Sequence, residues 1–86
     1  MKIIIAVLKS KAQVMQLIDI ARSYGIVVKA IPIPKEIKIG CGICVQFNFF
    51  DTQKILRIIK SNNLNAFYGI FQIEKNGFKN TFKRIY

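Results

Sequence analysis

Ile31-Pro-Ile-Pro-Lys-Glu-Ile-Lys-Ile-Gly-Cys-Gly-Ile-Cys-Val-Gln-Phe47 divides two apolar segments with a loop rich in residues that bend or free the chain. Pro32 offers no N–H to a ladder, so a strand arriving over residues 26–31 stops there. Gly40 and Gly42 flank Cys41 and open backbone conformations closed to other residues, which sets the thiol in a loop of its own. From Ile43 the chain alternates Ile43, Val45, Phe47, Phe49 against Cys44, Gln46, Asn48, the period of a strand with one greasier face. The stretch therefore predicts strand, loop, strand, with Cys41 near the loop's end.

Outward toward the N-terminus, Lys2 to Leu8 is a continuous run of Ile, Val, Ala and Leu that fits a central strand covered on both faces. Ser10-Lys11-Ala12-Gln13 then matches a capping box, in which Ser10 accepts from the Gln13 amide while the Gln13 side chain reaches back. Val14, Leu17, Ile18 and Ala21 recur at helical spacing, and Gly25 suits the position just past the last turn, so a helix should end near Tyr24. Outward toward the C-terminus, Asp51 is the expected cap of a second helix that buries Ile55, Ile58 and Ile59 and ends around Asn62 and Asn63. A last strand is expected over residues 66–73. Beyond it, residues 75–86 carry Lys75, Lys79, Lys83 and Arg84 with no acid, interleaved with Phe78, Phe82 and Tyr86.

The order strand, helix, strand, strand, helix, strand predicts an α+β, ferredoxin-like βαββαβ domain over residues 1–74: a four-stranded antiparallel sheet with both helices on one face. Residues 75–86 read as a basic, aromatic extension. In that topology the exit of strand one, the start of helix one and the Cys41 loop share one end of the sheet, which puts Cys41 close to Lys9, Ser10 and Lys11. A helix N-terminus and nearby lysines favour a thiolate, and glycines let backbone N–H groups turn toward an anion. The expected site is a reactive, partly exposed Cys41 with Gly40, Gly42, Lys9, Ser10, Lys11, Lys35 and Lys38 as its anion-stabilising surround. Glu36, the loop's one acid, faces water or holds a neighbouring lysine.

Gly25-Ile26-Val27-Val28, Pro32-Ile33-Pro34-Lys35-Glu36-Ile37, Gly40-Cys41-Gly42-Ile43 and Phe47 together resemble the selenium/sulfur (Se/S) carrier protein-like family, a small bacterial domain. The likeness is strong over residues 24–49, weaker elsewhere and absent from the last ten or so residues. It implies the same βαββαβ fold and a carrier role in which Cys41 accepts sulfane sulfur or selenium as a persulfide or selenosulfide. Its implied partners are sulfur or selenium donor and acceptor proteins, and it implies a relay without turnover of its own. The strand-one exit, Leu8-Lys9-Ser10-Lys11, lacks the Phe and Thr expected of the family.

Other chemistry is narrower. No histidine occurs, so a Cys–His nucleophile pair is excluded within one chain, and two cysteines fall short of a zinc site's four ligands unless two chains share the metal; no cofactor or metal is expected. Cys41 and Cys44 spell a CxxC, but Cys44 already lies in a strand. Three extended steps span about 10 Å, beyond the roughly 7 Å limit for bridged Cα atoms, so Cys44 is read as a packed strand residue.

The chain has 86 residues, 52% apolar, enough for one modest core. The leading apolar run stops at Leu8 without a cleavage site, and no run reaches membrane-spanning length, so a cytoplasmic protein with no membrane partner is expected. Net charge is +10, which attracts polyanions in general, nucleic acid and acidic lipids included, although seventeen isoleucines, eleven lysines and six asparagines also indicate plain compositional bias. Two non-catalytic readings stand beside the carrier. One is weak single-stranded RNA binding by the basic tail, since strands one and three lack the stacking aromatics of an RRM; against it, Phe78, Phe82 and Tyr86 can fold back on the domain. The other is a homodimer or partner docking through an open sheet face exposing Ile4, Ala6 and Leu8, if Ile3, Ile5 and Val7 face the helices.

Overall fold

A computed structural model describes residues 2–86, as β1 (Lys2–Leu8), α1 (Lys11–Ser23), β2 (Val28–Pro32), β3 (Ile43–Phe47), a 3-10 turn (Phe49–Asp51), α2 (Thr52–Ser61), β4 (Phe67–Asn76) and β5 (Lys79–Arg84). One antiparallel sheet runs β2-β3-β1-β4-β5. Through β4 this is the expected order of elements, with β1 and β3 adjacent in the middle. The fold differs from the four-stranded expectation by one strand. β4 continues past Ile73 to Asn76, turns at Gly77-Phe78, and the presumed extension returns as β5, pairing from Asn76–Lys79 to Phe71–Arg84. Gly77 has φ of 61°, the left-handed conformation a two-residue hairpin loop requires.

Both helices end on a residue of positive φ. Gly25 (φ 76°) lets Ile26 N–H reach Ala21 O and its own N–H reach Arg22 O; Asn63 (φ 55°) does the same for Leu64 to Ile59 and for itself to Lys60. Because the end of α1 takes the Ile26 amide, β2 starts at Val28 and not at residue 26. It also runs one residue beyond expectation, since Pro32 occupies an edge strand and pairs with Ile43.

The two expected helix caps fare differently. Ser10 Oγ accepts from Gln13 N at 3.3 Å, but the Gln13 side chain turns away from Ser10: its Oε1 accepts from Ala66 N at 2.9 Å and its Nε2 donates to Asn65 Oδ1 at 2.9 Å. With Lys9 N donating to Ala66 O at 2.8 Å, the β1 exit is tied to the turn before β4. Asp51 makes no cap bond. Asn48 takes over, its Oδ1 accepting from Phe50 N at 3.0 Å to start the 3-10 turn, while Asp51 pairs with Lys54 at 3.7 Å.

Strand one faces the opposite way from expectation. Ile4, Ala6 and Leu8 lie in the helix-side core with Val14, Leu17, Ile18, Val45, Phe47, Ile55 and Ile70. Ile5 and Val7 look away from the helices and are nonetheless fully buried, in a second cluster with Ile37, Cys44 and Ile73. Ile33 and Ile37 of the long loop, with Tyr68, Phe71 and Phe82 of β4 and β5, pack on that side. The bare apolar face expected from Ile4, Ala6 and Leu8 does not exist, because the helices cover those residues.

Candidate functional site

The loop between β2 and β3 is closed at its base by Ile33 N–H donating to Gly42 O at 3.0 Å, and Ile37 N to Pro34 O at 3.0 Å forms its turn. Ile37 then reaches down into the second cluster, which fixes the loop against the sheet and leaves Lys35, Glu36 and Lys38 exposed.

The Gly-Cys-Gly segment rests at the outgoing end of β1. A Cβ on Gly40 would sit 2.8 Å from Ile33 Cδ1, 3.4 Å from Val7 Cγ1 and 3.6 Å from Leu8 O. Gly40 has φ of 121° and Gly42 of 93°, so both positions need glycine for conformation, and a side chain at Gly40 would in addition displace the end of Ile33. Gly40→Ala is expected to destabilise by about 1–3 kcal/mol through backbone strain. It should exceed Gly42→Ala, whose added methyl meets no atom within 4 Å; paired urea denaturation curves check this.

Cys41 is half-buried and packs with Ile43 against the helix-side core. Ladder partners Ile4–Phe47, Ile5–Gln46 and Ala6–Val45 put the start of β3, which Cys41 precedes, at the same end of the sheet as the β1 exit and the start of α1. Among the described residues its hydrogen-bond partner is the Ile43 carbonyl, to which the thiol donates at 3.7 Å. The surrounding cations are not in contact with it. Lys9 turns its ammonium toward the Tyr68 ring, 5.7 Å from the centroid, where Arg84 also stacks at 4.8 Å. Lys11 is exposed on the first turn of α1. Lys11, Lys35 and Lys38 are exposed, and Gly40 and Gly42 are the chain neighbours of Cys41.

Cys44 is a different kind of cysteine. It lies on the other face of the sheet, fully buried in the second cluster, and both cysteines are free thiols. Burial, and secondarily the neighbouring Cys41, push its pKa from 9.0 up to about 12, so it stays protonated. Its Sγ lies 4.0 Å from Pro32 O. No group of three or more metal-ligating side chains occurs among the described residues.

Sequence reasoning missed Tyr68, which draws Lys9 away from the thiol, and Ile33, which closes the wall against Gly40. Neither carries a local signal: both depend on how the loop and the β4 backbone fall across β1. The register shift between Val7 and Leu8 in the β1–β4 pairing leaves Tyr68 without a ladder partner on β1, and it packs with the second cluster, on the opposite face from Ile70.

The family model described as "Putative Se/S carrier protein-like" matches residues 4–69. No curated protein and no solved structure matches the chain.

Proposed function

The chain belongs to the "Putative Se/S carrier protein-like" family, and from that premise we propose that Cys41 is the atom that carries the cargo, sulfane sulfur or selenium, between a donor and an acceptor protein. The observation that supports this most is the framing of Cys41 by two glycines of positive φ at the outgoing end of β1, where the residue is only half-buried. A packing cysteine needs no such backbone; Cys44, three residues on, has an ordinary strand position and full burial.

In the loading step the Cys41 thiol gives its proton to solvent and the thiolate attacks the outer sulfur of the donor's persulfide. A Cys41 Sγ–S bond forms, the donor's S–S bond breaks, and the donor leaves as a thiolate. Unloading is the same exchange in reverse, an acceptor thiolate attacking the outer atom and Cys41 leaving. Each exchange is redox-neutral overall and needs no metal or second catalytic group. An outer selenium moves by the same exchange. In this reading the protein works in the cytoplasm as a relay and turns over nothing alone.

Intact mass after incubation with a small-molecule persulfide tests the proposal. Wild type and Cys44→Ala are expected to gain one sulfur atom and to lose it to an added thiol, whereas Cys41→Ser gains none. Equal loading of Cys41→Ser, or no loading of wild type under conditions that load an unstructured cysteine peptide, would overturn it.

A further inference from the structure

Five apolar side chains stand far into solvent: Tyr24 at 71%, Val27 at 82%, Phe49 at 57%, Phe50 at 88% and Phe78 at 109% of full exposure. They come from separate parts of the chain, yet strand register collects them at one end. Lys2 pairs with Glu74, Ile4 with Phe47, and Val28 with Phe47. The start of β1, the end of α1, the start of β2, the end of β3 and the β4–β5 hairpin tip therefore all lie at the pole opposite Cys41. Val27, Phe49 and Phe50 also line an open cleft of about 690 Å³ with Ile3, Lys2 and Lys29.

The charge at this pole is predominantly positive. Lys2, Lys29, Lys75 and Lys79 are exposed there. Of the chain's four acids, Glu36 is at the far end and Asp19 a turn back along α1; Asp51 is paired with Lys54, which leaves the half-buried Glu74. We propose that this pole is a docking surface for an anionic lipid bilayer, with Phe50 and Phe78 inserting at the headgroup boundary and the lysines pairing with lipid phosphates.

The occupant follows from shape as well as charge. Val27 precedes β2, Phe50 follows β3 and Phe78 precedes β5, so Phe78 stands about 19 Å from the first and about 14 Å from the second at ordinary strand spacing. A folded partner would need a matching contiguous surface across that span. A fluid interface accepts isolated rings on separate loop tips, and buried apolar area and attraction to anionic headgroups then add. The association is peripheral; among the described residues no helix is long and apolar enough to cross a membrane.

Sedimentation of the full chain with vesicles tests the proposal. Binding is expected to phosphatidylglycerol-containing vesicles and not to phosphatidylcholine alone, and to fall at least about tenfold in Phe50→Ser/Phe78→Ser, whose changed rings make no core contact. The chain has no tryptophan, so Phe50→Trp supplies a single reporter whose emission should shift to the blue and be quenched by brominated lipid on anionic vesicles. Cys41→Ser should bind as wild type does, which separates this result from the carrier's. Unchanged binding of the double Ser variant, an emission from Phe50→Trp that neither shifts nor is quenched, or binding to an acidic protein or single-stranded nucleic acid but not to vesicles would overturn it.

Discussion

Replacing Ile5 with alanine is expected to lower stability by about 2–5 kcal/mol, as much as the same truncation of Leu17 on the helix side. Ile5 sits in the middle of the central strand, pairing with Gln46 on one side and Phe71 on the other, and is 0% exposed although no helix covers it. The side chains of its cluster come from β1, β3, β4 and the β2–β3 loop, and the loop is held at its base and by Ile37, so it cannot simply sink into the space left. For a chain of this size that loss is a large part of the total. Urea denaturation at matched slope is the measurement. A cost under about 1 kcal/mol would mean that the loop lies on the sheet without building a core.

Raising the pH above 9 is expected to remove stability through Cys44 at about 1.4 kcal/mol per pH unit. The sign follows from proton binding. Unfolded, the thiol ionises near its ordinary 9.0, while folded it holds its proton up to about 12. Between those values the unfolded chain binds fewer protons, so alkali favours unfolding, with a total near 4 kcal/mol across the window. Below pH 9 both states are protonated and the group contributes no slope. Lysines also titrate there, so the quantity to compare is the slope of stability against pH in wild type and in Cys44→Ala. Equal slopes would place Cys44 in contact with water.

Much of this molecule was legible in its sequence, and the failures share a cause. Helix one, its Ser10 cap and the alternation Ile43, Val45, Phe47 are local patterns, and the structure keeps them; the strand expected to reach Phe49 stops at Phe47, because Asn48 starts a 3-10 turn that leaves Phe49 exposed. Gly25 and Asn63 announced both helix ends, although the cost to the Ile26 amide, and so the late start of β2, required the hydrogen bonds themselves. The facing of strand one was not decidable from Lys2–Leu8, because a strand buried on both faces shows no alternation. Residues 75–86 looked like an appendage because Lys, Asn and Arg hide a strand whose inward residue, Phe82, is one ring among cations. Cys41 stood out by its glycines; the diversion of Lys9 to Tyr68 depended on register across β1 and β4 and left no trace in either segment.

The loop from Ile33 to Gly42 roofs Cys44, and this gives the protein an internal gauge of its own breathing. A thiol reagent cannot reach that sulfur while the roof is down, so the pace at which Cys44 is labelled in the native protein counts how often the roof lifts. Cys41 precedes Gly42, whose carbonyl closes the base of the same loop, and anything seated on Cys41 that steadies or unsettles the loop would be read out on the far side of the sheet, at Cys44.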